Sequence, residues 1–198
     1  MRFYLPPVTK YLLIITVAVF FISQKMPVLY EYLALHYFTS PLFKPYQLVT
    51  YIFMHADIKH VFVNMFGLFM FGRSVEEAFG QKRFLNYYLI TGIGAALTQF
   101  FIYYLQGNNV PHPSVVGASG SLFGILIAFG MMFPNRELII IPIPIPIKAK
   151  YMVALYGAFE LFSGINNNPL DNVAHFAHLG GMLFGFILLM IWRRKSRY

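Results

Sequence analysis

The stretch "VVGASGSLFG", Val115 to Gly124, runs directly into "ILIAFGMMF", Ile125 to Phe133. A serine, Ser119, stands among the small residues Gly117, Ala118 and Gly120. The residues beyond them are apolar enough to enter a bilayer. A hydroxyl held at the mouth of a membrane segment needs an explanation, because polar side chains there are costly.

The rest of the chain has the same character. Its 198 residues are 58% hydrophobic and 11% charged, with a mean hydropathy of +0.61. A soluble domain carries roughly 25% charged residues. The composition therefore indicates an integral membrane protein. The net charge of +8 does not indicate nucleic acid. The cations sit mainly at segment ends, and no basic stripe is interleaved with aromatics. With no cysteine in the chain, a disulfide framework, a thiolate site and an iron–sulfur cluster are all excluded.

Apolar runs bounded by Pro, Gly and charge predict six spans: residues 8–24, 58–73, 84–105, 115–133, 150–165 and 173–192. The first, in "MRFYLPPVTKYLLIITVAVFFISQ", is followed by "SQKMPVLY" rather than a small-x-small cleavage site, so it reads as a retained span. No internal repeat is visible, and the six spans read as one membrane domain over residues 1–198. In "IPIPIPIK" (Ile141–Lys148) proline recurs every second residue, which forbids a helix and predicts an extended connector. With the N-terminus inside, twelve of the fifteen Lys and Arg residues, from Arg2 to Arg197, fall on the inner side. Only Lys25, Lys44 and Lys59 fall outside. This predicts both termini in the cytoplasm. The long outer connection contains "VLYEYLALHYF", suited to lying in the interface.

Few polar side chains fall within spans, and depth sorts them. Ser119 lies about four residues into span four, roughly 6 Å, and His178 about five residues into span six, roughly 8 Å. His60 begins span two, with Asn64 one turn below it on the same face. A hydroxyl, an imidazole and a His/Asn pair thus share one outer level. That set suits acyl transfer: serine needs a base, histidine is the usual one, and the oxyanion needs imidazole, carboxamide or backbone N–H donors. No acidic partner is expected at that level. Asp171 lies above His178, and Glu160 is placed nearer the outer end of span five. The expectation is a Ser–His dyad without a carboxylate. In "HLGGMLFG", Gly181 and Gly185 continue the face of His178 and allow spans four and six to meet backbone to backbone. A metal reading, with His175 and His178 three apart and His55 and His60 elsewhere, lacks a His-Glu-x-x-His and a carboxylate at that depth.

Taken singly, each of these residues has a packing role open to it; together they carry a resemblance. The chain resembles the rhomboid family of intramembrane serine proteases over nearly its whole length. "HVFVN" is similar to the family's His-x-x-x-Asn. "VEEAFGQKRFLNYYLITGIGAAL" is similar to its cytoplasmic-turn block, giving Glu76 and Gly80. "GASG" fits its Gly-x-Ser-Gly, and "AHLGGMLFG" its Ala-His-x-x-Gly-x-x-x-Gly. The resemblance implies an all-α polytopic membrane protein with a six-transmembrane-helix bundle. It implies Ser119 as nucleophile and His178 as general base, with an oxyanion site of His60, Asn64 and the Ser119 backbone. Gly117, Gly120, Phe123, Gly181, Gly185 and Glu76 take supporting roles. The implied partners are single-span transmembrane protein substrates and membrane lipid, with no nucleic acid, metal or cofactor. The implied location is the plasma (inner) membrane of a prokaryote, with the active site facing out. Two departures stand out. The family often has Trp-Arg before "LVT", where this chain has Tyr46-Gln47, which leaves the outer loop without that anchor. Some members have a tyrosine where Phe123 stands. A small transporter, or a non-catalytic rhomboid-like binder of membrane helices, are the competing readings. A transporter would call for polar residues through the full depth and for internal symmetry, and the sequence has neither.

Overall fold

The computed structural model describes residues 4–107, 112–140, 143–166 and 173–195. Helix α1 spans Pro7–Lys25 and starts on a proline, whose fixed φ suits the first helical position. Short helices α2 (Val28–Leu33) and α3 (Gln47–Thr50) come next, the latter running into a 3₁₀ turn at Tyr51–Phe53. Helix α4 (Ile58–Gly67) is capped by Asp57, which accepts the His60 N–H at 2.8 Å. It continues without a break through a π-helical turn (Leu68–Gly72) into α5 (Arg73–Phe79). Gly80, at φ +76°, reverses the chain into α6 (Gln81–Gln106). Beyond it lie α7 (Ser119–Met132), strands β1 (Glu137–Ile140) and β2 (Ile143–Lys148), α8 (Ala149–Asn166) and α9 (His175–Lys195).

Helices α1, α6 and α9 are each long and apolar enough to cross a membrane, and α7 is a shorter apolar helix. With the continuous α4–α5 rod and α8, the long helical segments match the expected bundle. At the centre, α6, α7 and α9 pack on one another around Phe84, Tyr87, Tyr88, Ile125 and Phe129. The periphery is apolar as well: Ile14, Phe21, Phe62, Phe66, Leu155, Phe162 and Ile187 are all exposed. In water so large an apolar surface would aggregate; in lipid it is the expected exterior.

The fourth span differs from its sequence reading. Residues 115–118 are not helical. Val115 pairs with Leu35 through two backbone hydrogen bonds of 2.9 Å, and Gly117 sits at φ +122°, so α7 begins at Ser119 itself. A glycine at this φ ends the extended segment where the helix must start. Within the isoleucine–proline run, Ile143–Lys148 is extended as β2, paired antiparallel with β1 in a register that sets Glu137 against Lys148; Ile141 and Pro142 lie outside the described residues. Proline suits a two-stranded ribbon, because alternate N–H groups point away from the partner. Arg2, Arg197 and Asp171, used in the sequence reading, lie outside the described residues.

Glu76 is buried at the end of the bundle remote from Ser119. Its carboxylate accepts Val8 N–H at 2.9 Å, Thr9 N–H at 2.6 Å and the Thr9 hydroxyl at 2.7 Å. These are orphan donors of the first turn of α1, where a negative charge is favoured. One side chain thus ties α1 to α5. We expect Glu76→Ala to lower the unfolding free energy by at least about 2 kcal/mol, since hydrogen bonds to a charged group contribute about 1.5–3 kcal/mol each. Thermal unfolding in detergent checks this, with Glu77→Ala as control. The exposed Glu77–Arg73 pair should contribute about 0–1 kcal/mol.

Candidate active site

The candidate site is built where α7 and α9 meet. A Cβ on Gly181 would fall on the Gly120 carbonyl, and one on Gly185 would lie 3.1 Å from the Gly124 Cα. Two glycines on each helix therefore bring the backbones into contact, as small residues allow in membranes. Gly120 is in turn pressed against Ala95 of α6, 2.5 Å from where its Cβ would stand. Ser119 is the first residue of α7 and His178 the fourth of α9, so this contact sets their separation.

The Ser119 Oγ lies 2.7 Å from His178 Nε2. The His178 Nδ1 lies 2.9 Å from Glu160 Oε2. A carboxylate can only accept, so Nδ1 carries the hydrogen and Nε2 presents its lone pair to the serine hydroxyl. The His178 ring stacks on Phe123, with centroids 4.5 Å apart and planes 11° from parallel. Glu160, on α8, is buried, and its Oε2 also contacts His175 Nδ1 at 2.6 Å.

Glu160 corrects the sequence reading, which expects no carboxylate at this level. Counted from the outer ends of spans 150–165 and 173–192, Glu160 and His178 are each five residues in, so depth does not separate them; what the reading leaves out is that the two spans face each other. Helix α9 begins at His175, and α8 packs along it where Gly157 meets Met182 and Gly164 meets Phe176. Glu160 lies between those two contacts. The missing signal is present in the sequence: Gly157, Glu160 and Gly164 share a face at i, i+3 and i+7, the spacing of His178, Gly181 and Gly185. The absence of a nearby carboxylate, one ground against a metal, is also overturned: Glu160, His175 and His178 place one ligand atom each within 4.8 Å of one another.

His60 packs against Gly117, where a Cβ would stand 2.7 Å from its Nε2 and 3.8 Å from the Ser119 Oγ. Only glycine leaves room for that imidazole. Asn64, buried one turn further along α4, donates Nδ2 to the His60 carbonyl at 2.9 Å. Its Oδ1 is buried without a hydrogen-bond partner among the described residues. The structure thus brings Ser119, His178, Phe123, Gly117 and His60 together and leaves Asn64 a turn behind. Glu76 is at the other end of the bundle. His55, which the sequence reading considers only as a metal ligand, is buried beneath the Ser119 turn. Its Nε2 faces the Ala118 N–H at 3.5 Å, and its ring meets that of His60 edge-on. Burial, with His60 close by, pushes the His55 imidazole down to about 4, against the weaker pull of the Phe53 carbonyl and Asp57. His55 is therefore neutral at physiological pH and can accept from that N–H.

The Tyr46-Gln47 departure is also resolved. Gln47 is fully buried. Its Oε1 accepts the N–H groups of His36 and Lys44 at 3.3 and 3.2 Å, and its Nε2 donates to the carbonyls of Tyr32 and Leu42 at 3.1 and 3.0 Å. A neutral carboxamide, both donor and acceptor, organises the loop that precedes the site.

Fold and site define a polytopic helical membrane protein with a serine–histidine pair where two helices touch. The chain belongs to the rhomboid family: the family profile described as Rhomboid domain matches residues 43–195. It is similar to Rhomboid-like protein 11, chloroplastic, of Arabidopsis thaliana, at 32% identity over 74% of this chain and 52% of that protein. It is similar to Putative rhomboid protease YdcA of Bacillus subtilis at 31% identity, over 77% of this chain and 71% of that protein. Rhomboid protease GluP of the same organism is 30% identical over 71% of this chain and 25% of its own. Against the Arabidopsis relatives the chain spans about half their length or less, from 52% down to 36%.

The glycine contact generates a test of packing. Gly181→Ala meets the Gly120 backbone at once, whereas Gly185→Ala first meets the Tyr87 hydroxyl, with the Gly124 backbone further off at 3.1 Å. We expect Gly181→Ala to lower thermal stability more, by about 1–3 kcal/mol for overpacking. Equal, negligible effects in detergent melts would refute the contact.

Proposed function

We propose that this protein is an intramembrane serine endopeptidase, one membrane domain over residues 1–198, that hydrolyses peptide bonds in or near transmembrane segments of single-span membrane proteins. The observation that carries the reading is the 2.7 Å contact between Ser119 Oγ and His178 Nε2 at the first residue of an apolar helix. The protease names of two Bacillus relatives support it.

In the proposed reaction, Ser119 Oγ attacks the scissile carbonyl carbon while its proton passes to His178 Nε2. The carbonyl oxygen becomes an oxyanion. His60, Asn64 and the backbone N–H of Ser119 stabilise it, the last being among the first N–H groups of α7, which lack partners in their own helix. The C–N bond then breaks, and the imidazolium returns its proton to the departing amine. Water then attacks the acyl-serine and gives a proton to His178; the acyl C–O bond breaks, the new carboxylic acid leaves, and the imidazolium returns the proton to Ser119 Oγ, restoring the hydroxyl. Phe123 holds the imidazole ring in plane. No step calls on a metal or cofactor. The substrate must leave its helix to expose the carbonyl, so Gly or Pro near the cleavage site favours reaction.

The Lys/Arg asymmetry supports cytoplasmic termini and a site facing the outer side, as in a prokaryotic inner membrane.

A fluorophosphonate should label the wild-type protein in detergent, and Ser119→Ala and His178→Ala should lose cleavage of a model single-span substrate while remaining folded. Cleavage retained by Ser119→Ala sinks the protease reading and favours a binder or transporter. Removing one oxyanion donor costs roughly 10²–10³ in kcat in a soluble protease. We therefore expect His60→Ala and Asn64→Ala each to lose part of the rate, less than Ser119→Ala.

Activity should also survive EDTA and phenanthroline. Loss with a chelator, reversed by zinc, would move the chemistry to the Glu160–His175–His178 cluster.

A further inference from the structure

We propose that Glu160 is a positioning residue for His178, making the serine–histidine pair one end of a Ser119–His178–Glu160 relay that reaches across three helices. The inference rests on the protease reading and adds to it a member that the dyad expectation leaves out.

A carboxylate in a membrane interior is costly unless donors surround it. Glu160 receives two, the Nδ1–H groups of His178 at 2.9 Å and His175 at 2.6 Å, both on the same oxygen. If the carboxylate served only to hold α8 against α9, the His175 bond would suffice. The bond to His178 does something further, because the opposite nitrogen of that ring faces Ser119 Oγ at 2.7 Å. Acceptance at Nδ1–H selects the tautomer that leaves Nε2 able to take the serine proton. Phe123 fixes the plane of the ring, and Glu160 fixes its rotation within that plane.

The carboxylate also acts when the proton moves. As Ser119 attacks, its proton passes to Nε2 and the ring becomes an imidazolium whose Nδ1–H still points at Glu160. The glutamate keeps its charge and takes no proton; it stabilises the cation until the leaving amine, or in deacylation the departing Ser119 Oγ, takes the proton. The titratable groups around this ring are Glu160 from α8, His175 from α9 and His60 from α4. Glu160 is the one anion in that set.

A metal held by the same three side chains would oppose this chemistry. A cation on His178 Nδ1 would displace the hydrogen bond and leave Nε2 protonated toward the serine, unable to act as base. The 2.6 and 2.9 Å spacings are those of hydrogen bonds.

The test uses the full chain in detergent with a model single-span substrate. Glu160→Gln should lower kcat by on the order of 10²-fold or more, within the ~10⁴ that the equivalent amide replacement costs in a soluble triad. KM should change little; the melting temperature should fall but leave the variant folded, because the Gln carbonyl can still accept from the imidazoles; and Glu160→Asp should recover part of the rate. His175→Ala should keep a substantial fraction, because Glu160 retains His178. Nitrogen-15 spectra of histidine-labelled wild-type protein should show His178 as the Nδ1–H tautomer with a strongly downfield imidazole proton, lost in Glu160→Gln. A folded Glu160→Gln with full kcat overturns the proposal. So does a wild-type His178 carrying its proton on Nε2, a result that stands even where the variant fails to fold. Zinc-dependent activity overturns it in favour of the metal. Cleavage by Ser119→Ala would refute the protease reading instead, and leaves the tautomer measurement to judge Glu160 by itself.

Discussion

The contact between the Gly120 carbonyl and Gly181 is the constraint on which the rest of the structure depends. Between lipid-embedded helices there is little hydrophobic driving force, so association relies on close packing of small residues. Here the approach is backbone to backbone, repeated a turn on by Gly124 and Gly185, with α6 behind both helices through Ala95 and Tyr87. Ser119 precedes Gly120 by one residue, and His178 precedes Gly181 by three. Neither side chain needs to reach far, and a 2.7 Å contact results from the packing itself. A site set by backbone contact is preorganised, as the proposed reaction requires.

Two carboxylates attach the outlying helices to that centre. Helices α1 and α8 bury few residues. Glu76 holds the first turn of α1 through three donors, and Glu160 holds α8 through two imidazoles. In both cases the cost of burying a charge is offset by several directed hydrogen bonds, and helices with little shape complementarity gain a defined position. The difference is chemical. Glu76 accepts from a helix terminus, a donor set with no other duty. Glu160 accepts from a ring whose far nitrogen meets a serine.

The spans and the Ser119, His60 and His178 motifs are legible because membranes impose simple rules: apolar runs of set length, cations at segment ends, and rare polar side chains. Three features escape those rules. The start of α7 reads as helical, since nothing local reveals that Val115 will bridge to Leu35, eighty residues earlier in the chain. The proline run reads as extended, but its pairing with Glu137–Ile140 depends on a partner strand that the run does not itself specify. Gln47 reads as the loss of an anchor, because a carboxamide shows its value only when donors and acceptors converge on it.

By itself, the sequence determined the class of fold, the family and the chemical types at the site, because hydropathy and motif order are properties of the linear chain. Which groups face one another was decided by the tertiary structure. Counting 1.5 Å per residue along each span gives depth but not which helix faces meet. Helices α8 and α9 pack together at Gly157 and Gly164, which turns Glu160 onto His178 at a depth that counting already allows. Helix packing depends on side-chain relief along both partners at once, and no single segment encodes that.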